Sequence, residues 1–548
     1  MIPPLATCRL VTPKRVTAAV FHRHSCLSRR VSSGPTKSIA EDALKPSSPR
    51  QPLSRTAVLA TVTLAVLVSA YGLQAVHLDS LAQPDAKAHV SSGPATDDPK
   101  AVLRQQKSLE HFNPARKIDL NARLREYEET HVPDARTGVQ RYDMAQFSSN
   151  EPTEDDHTSA ILPIPSGYWS LFALFDGHSG WETSAWLREN MIPALAGALA
   201  DLFSHYRPPD DAPPPPAHTI DATIQDTFAL LDDDIVFGTL ERAFKTDSKA
   251  DAINVLAPAY AGACALLAFY DSESRVLRVA LTGDSRAVLG RRIRVPDPNN
   301  PGSMKEVYEV RNLSVEQDGH NLAEEMRLHS EHPGERVVQG GRVLGLGPAR
   351  AFGDALWKWP LDIQRMLKDG WMGRSPRSDV KTPPYLTARP EIVSLDIQEG
   401  DFVVLGTDGL WECLASWEVV GLVGAWAQKQ AGATGESLVL EPKDLPLHLN
   451  EEDGWEDDSV RYRQWGAKKL FVNVDGNAAT HLLRNALGGA DEDITRALTS
   501  MRPPRKRMYI DDVTVTVVFF GQQEGSTGSV LPSSGSLIIE EADQPRPL

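Results

Sequence analysis

Four apolar runs in this chain meet an aspartate at one end, and a fold that gathers those ends must also gather their carboxylates. Tyr168 to Phe175 (YWSLFALF) reads as a buried strand that stops at Asp176-Gly177-His178. Val276 to Leu281 alternates like a half-buried strand, turns at Gly283-Asp284 and resumes as Ala287 to Leu289, the pattern of a hairpin. Phe402 to Leu405 runs into Gly406-Thr407-Asp408-Gly409, and Asp511-Asp512 opens Val513 to Phe520, a strand rich in β-branched residues. One Asp-Gly is an ordinary turn dipeptide. Four strand-end acids with no Cys ligand and few His are the donor set preferred by hard cations such as Mg²⁺ and Mn²⁺, which take oxygen ligands and retain water. A pair of such ions lowers the pKa of a shared water and neutralises phosphoryl oxygens, so the expected chemistry is hydrolysis of a phosphate ester without a covalent enzyme intermediate.

Composition limits the alternatives. Of 548 residues, 41% are hydrophobic and 24% charged, ordinary globular usage that supports a sizeable core. A net charge of −16 opposes a broad nucleic-acid surface, and with it a metal-dependent nuclease. Cys8, Cys26, Cys264 and Cys413 form no CxxC pair, which indicates neither a disulfide framework nor a zinc site.

The ends read as address, linker and tail. Residues 1–40 contain no Asp or Glu while Arg9, Lys14, Arg15, Arg23, Arg29, Arg30 and Lys37 are spread among Ser, Thr and small apolar residues, the composition of a mitochondrial transit peptide. Residues 56–76 carry no charge over about the length of a bilayer-spanning helix, so they are read either as an inner-membrane anchor or as part of a long leader. Arg55 before the run and the acids after it would keep the basic flank in the matrix and put an anchored enzyme in the intermembrane space. A cleaved leader would instead leave a matrix enzyme. Residues 77–110 read as a linker poor in large apolar residues, 115–520 as the folded domain and 521–548 as a Ser-, Gly- and Pro-rich tail. Within the domain, the proline run 207–219 reads as a surface loop and the acidic stretch 432–458 as a further break.

In order along the chain, FDGHSG from Phe175, TGDSRAVLG from Thr282, RAFGD from Arg350, TDGLWE from Thr407 and DDVTVTVV from Asp511 resemble the signature motifs of the type 2C metal-dependent protein phosphatases. The resemblance implies an α+β fold, a central antiparallel β-sandwich flanked by helices on both faces, with two Mg²⁺ or Mn²⁺ ions in a cleft at one end. It implies that Asp176 bridges the ions and the Gly177 carbonyl adds a ligand. Glu154, Asp408 and Asp511 then complete the direct or water-mediated shell, and Asp284 helps to hold a third, weaker ion. Asp512 fills the slot beside the last ligand, often Asn in the family. By the same likeness His178 is the general acid for the leaving serine or threonine oxygen, a task suited to a pKa near neutrality. Arg286 and Arg350 could pass for phosphate clamps, since their forks match phosphate, but are expected to pair with acids of their own motifs.

One position departs from the family. Where a phosphate-binding Arg usually stands four residues before the first acidic ligand, this chain has Asn150, so phosphate contact must be arranged differently. Asn150, VQRYD upstream of it, TPPYLTA at 382–388, LGLGPARAFGD at 344–354 and NAATHLLRNALG at 477–488 look like the pyruvate dehydrogenase phosphatase branch. That likeness implies the phosphorylated E1α subunit of the pyruvate dehydrogenase complex as substrate and partner. The alternatives are another phosphoprotein of the intermembrane space and a scaffold that binds phosphoproteins without cleaving them. A scaffold would be expected to have lost ligands, whereas Asp176, Asp408 and Asp511 are all in place.

Overall fold

Alternate residues of each long strand face two different cores, and that alternation makes a layered fold. The computed structural model describes residues 119–206, 214–298, 300–432, 439–448 and 456–521. The expected leader, apolar run, linker and the tail beyond Gly521 lie outside the described residues. Among the described residues no helix is long and apolar enough to cross a membrane.

The chain lays down β1 (Glu129–His131), β2 (Val139–Phe147), β3 (Asp156–Ile164) and β4 (Gly167–His178). The middle gives β5 (Gly262–Asp271), β6 (Val276–Thr282), β7 (Arg286–Pro296), β8 (Met304–Asn312) and the short β9 (Phe352–Gly353). Last come β10 (Glu391–Asp396), β11 (Phe402–Gly406), β12 (Leu447–His448) and β13 (Val513–Phe520). One sheet has the order β1-β2-β13-β11-β7-β8-β12 and the other β10-β6-β5-β4-β3, with β9 pairing on β5. The named pairings are antiparallel except β12 on β8.

The period of two decides which layer each side chain joins. In β4, Phe172 and Leu174 point between the sheets, where they meet Leu266, Leu289, Val403 and Val518, while Leu171, Ala173 and Phe175 point outward. The outer face of that sheet is covered by α1 (Glu182–Tyr206), α2 (Ala217–Asp233), α3 (Thr239–Lys245) and α4 (Lys249–Tyr260). In β13, Val513, Val515 and Val517 point the other way, onto α5 (Ser416–Gln430) and α6 (Ala478–Ala486). This is the expected sandwich with helices on both faces. Each fully buried Phe or Leu contributes roughly 2 kcal/mol of transfer free energy, and Phe172, Phe175 and Phe402 are all in that class.

Three local expectations need correction. The run 276–289 is not a hairpin: β6 pairs with β5 and β10 while β7 pairs with β11 and β8, so the turn at Gly283–Ser285 carries the chain from one sheet to the other. Alternation marks a strand without marking its sheet. Gly283 makes the crossing possible, with φ of 109° and Cys264 so close that a Cβ would sit 2.2 Å from its sulfur. The proline run gives way to helix sooner than expected, with Pro216 at the N-cap of α2, where proline's fixed φ is tolerated. The acidic stretch is partly structural, since Leu447 and His448 extend the first sheet beside Tyr308 and Glu309.

Candidate active site

The inter-sheet turn and two strand ends converge at one edge of the sandwich. Asp176 lies two residues before the end of β4, Asp284 sits in the turn between β6 and β7, and Asp408 follows β11. One carboxylate oxygen from each lies within 4.8 Å of the others, and the Asp408 amide donates to Asp176 Oδ2 at 3.2 Å. Behind them the buried Cys264 thiol donates to Asp284 Oδ1 at 3.1 Å. Asp511 stands next to β13, one oxygen accepting the Asp512 amide at 2.7 Å and the other paired with Arg507.

Crowding these acids in a buried place makes their charge costly. Burial, and then repulsion from Asp408, Asp155, Asp284 and Asp511, lifts the Asp176 carboxyl well above the usual range. Asp408 is lifted the same way, by burial and then by Asp511 and Asp284. Burial also raises Asp284, and it pushes Asp511 up to about 7 against the pull of Arg507. Such carboxylates ionise together only if positive charge is supplied, and the donors are all oxygen. The residues therefore fit hard divalent cations.

Glu154 reaches this edge on the loop between β2 and β3, and Asp512 fixes that loop. The Asp512 carboxylate accepts the backbone N–H of Ser149, that of Asn150 at 3.0 Å, that of Glu154 at 2.8 Å and the Thr153 hydroxyl at 3.1 Å. The Glu154 side chain accepts the Gly180 amide at 2.7 Å and the Asn150 side-chain amide at 2.9 Å. Asn150 is thus engaged with a neighbouring acid. Gly177 is required by close approach, because a Cβ there would lie 2.0 Å from the Glu154 carbonyl oxygen.

His178, on the far side of Gly177, has Nε2 at 2.6 Å from Asp354 Oδ2. Asp354 is buried in a left-handed conformation with φ of 47° and comes from the RAFGD motif, 176 residues away. Burial works against the imidazolium, but the charge and hydrogen bond of Asp354 prevail and its pKa lies above the ordinary value. Asp354 gave no sign of this partnership in the sequence. Asp155 was missed as well: Oδ2 accepts the hydroxyls of Thr407 at 2.9 Å and Thr514 at 2.7 Å, tying the Glu154 loop to β13 and to the residue before Asp408. The EDD run around it was its one legible signal.

Arg286 and Arg350 are structural, as expected, but their acids lie outside their own motifs. Arg286 binds Glu316 and Asp458, and Arg350 binds Glu324 and Glu391. Asn477 caps α6, and all of Ala478–Ala486 is buried, as are Tyr385, Leu386 and Ala388 of TPPYLTA. The segments that suggested a branch therefore pack inward over much of their length.

A family model described as Protein phosphatase 2C matches residues 147–439, a span that includes the β2–β3 loop, Asp176, Asp284 and Asp408. The chain belongs to the protein phosphatase 2C family. It is a protein serine/threonine phosphatase. It is 39% identical over 465 residues to a protein phosphatase 2C homolog of Schizosaccharomyces pombe, covering 84% of this chain and 95% of the other. It is 36% identical over 457 residues to the mitochondrial [pyruvate dehydrogenase [acetyl-transferring]]-phosphatase 1 of Saccharomyces cerevisiae, covering 78% and 77%. Its bovine namesake is 30% identical over 450 residues, covering 70% of this chain and 78% of the other.

Proposed function

We propose that this phosphatase removes phosphate from the phosphorylated E1α subunit of the pyruvate dehydrogenase complex in mitochondria, with Mg²⁺ or Mn²⁺ as cofactor. The convergence of Asp176, Asp284 and Asp408 within 4.8 Å carries the chemical part of this reading. The names of the yeast and bovine relatives support the substrate. Asp176, the Gly177 carbonyl, Glu154, Asp408 and Asp511 would hold two ions, and Asp284 would help with a third. Bound there, the ions would lower the pKa of a water and neutralise phosphoryl charge.

The chain's own groups do the rest. Asp512 and Asp155 hold the Glu154 loop and the Asp408 turn in register from below. Asp354 takes Nε2 of His178 and favours the charged ring over the neutral one, which leaves the Nδ1 proton for the departing serine oxygen. Asn150, bound to Glu154, brings no cation to the phosphate from its own position, and docking on the large complex would raise the local concentration of phosphoserine. The leader 1–40 would direct import, with 56–76 as anchor or leader.

The test compares rates on the intact phosphorylated complex and on a phosphopeptide copied from E1α. A large preference for the complex is expected. Failure to dephosphorylate E1α while another mitochondrial phosphoprotein is cleaved would overturn the substrate. A reporter fused to residues 1–76 should enter mitochondria, and protease treatment of mitoplasts distinguishes an enzyme of the intermembrane space, which is digested, from a matrix enzyme, which is protected.

A further inference from the structure

A phosphoryl dianion entering a cleft of carboxylates needs fixed positive charge besides the ions, and Asn150 supplies none. Several arginines near this edge are already committed. Arg286 is held by Glu316 and Asp458, and Arg350 by Glu324 and Glu391. Arg374 comes within 3.5 Å of the Ser179 carbonyl but donates to the Tyr260 carbonyl at 3.0 Å and lies over the Tyr260 ring.

Arg507 differs from these. Among the described residues it is the guanidinium ion-paired with an acid of the centre, Asp511, and its side chain remains 44% exposed. It sits on the short turn Lys506–Met508 that precedes Asp511. That turn is pinned by Lys506, whose ammonium donates to the Ser148 carbonyl at 2.9 Å and lies 4.4 Å from the centre of the Phe147 ring. Ser148 is two residues from Asn150, so Lys506 moors the Arg507 turn to the base of the loop that bears Asn150 and Glu154.

We propose that Arg507 is the phosphate-binding cation of this enzyme, taking the part that position 150 cannot play; this rests on the metal-centre assignment proposed above. Arg507 and divalent cations share Asp511. With the centre loaded, Asp511 has less charge to offer the guanidinium, and its planar fork turns to the next anion within reach, the phosphoryl oxygens of the substrate.

The test uses the full-length Mn²⁺-loaded protein and the variants Arg507→Ala, Arg507→Lys and Asn150→Arg/Arg507→Ala. Calorimetry measures binding of Mn²⁺ and of inorganic phosphate, and kinetics give KM and kcat on a phosphoserine peptide. Loss of one charged hydrogen-bond donor should weaken phosphate binding about tenfold and raise KM similarly in Arg507→Ala, while Mn²⁺ binds as tightly as in wild type or more tightly. Arg507→Lys should recover part of the loss, and an arginine at position 150 should restore phosphate affinity in the double variant. Phosphate affinity and KM unchanged in Arg507→Ala would overturn the proposal. So would loss of phosphate and Mn²⁺ binding in parallel, because that marks a support for Asp511. A wild-type protein that binds no Mn²⁺ would instead remove the metal-centre assignment, a separate and recognisable result.

Discussion

His178 Nε2 lies 2.6 Å from Asp354 Oδ2, a contact that commits one ring nitrogen to a buried acid and leaves the other for chemistry. Because Asp354 outweighs burial and raises the pKa of His178, the acid form persists to higher pH than for an ordinary histidine. Activity that needs this acid form should fall as pH rises through the raised pKa. Asp354→Asn should move the alkaline limb of kcat to lower pH, and His178→Ala should lower kcat roughly 10²-fold with the limb gone. An alkaline limb unmoved in Asp354→Asn would show that the pair does not set the proton donor.

The carboxylate cluster leads to opposite effects on activity and on metal-free stability. Asp176→Ala and Asp408→Ala should each abolish turnover, and EDTA should do so reversibly in the wild type. Each substitution also removes a buried acid that repels its neighbours, so the metal-free variants should melt at or above the Tm of the metal-free wild type. Adding Mn²⁺ should raise the Tm of the wild type and have little effect on the variants. Thermal melts with and without metal check both statements, and wild-type turnover in Asp176→Ala would remove the assignment.

Asp512 is 2% exposed and receives three backbone amides and one hydroxyl from the loop that carries Glu154. Asp512→Ala leaves those donors without a partner and should destabilise the fold by roughly 2–4 kcal/mol. Asp512→Asn keeps one accepting oxygen and should cost less. Both should weaken metal binding, since Glu154 loses its anchor, and denaturant melts beside metal titrations measure the two effects separately.

What the sequence revealed here, and what it hid, follows from range. Asp176, Asp284 and Asp408, which the fold brings together, were legible as candidates because an apolar strand meeting Asp at one end is a local pattern, and the period of two placed Phe172 and Phe175 on opposite faces of β4. The long-range partners of His178 and Glu154 were not legible. Asp354 meets His178 across 176 residues and Asp512 meets Glu154 across 358, and no local pattern encodes such pairs. The crossing at Gly283 was hidden for a related reason, since β6 and β7 each alternate correctly but belong to different sheets.

His481 offers a test of the fold away from the site. It lies on α6, fully buried, with Nε2 at 3.2 Å from the Leu422 carbonyl and Nδ1 at 3.4 Å from the Asn485 amide nitrogen. The neutral ring satisfies both contacts, donating from Nε2 and accepting at Nδ1, whereas the imidazolium would set an N–H against the Asn485 amide. Burial, the main cause, lowers its pKa to about 4. Above pH ~6.5 neither folded nor unfolded chain protonates this ring, so the group leaves stability unchanged with pH. Below that value the unfolded chain takes up a proton that the folded one refuses, and stability is lost as pH falls toward the folded pKa. His481→Gln cannot titrate. In EDTA the carboxylate centre contributes equally to wild type and variant, so the difference between their unfolding free energies isolates the histidine. The wild type should lose roughly 2 kcal/mol relative to His481→Gln between pH 7 and pH 5. Urea melts at several pH values measure this difference, and a constant one across that range would mean that the folded protein protonates His481 as readily as the unfolded chain does.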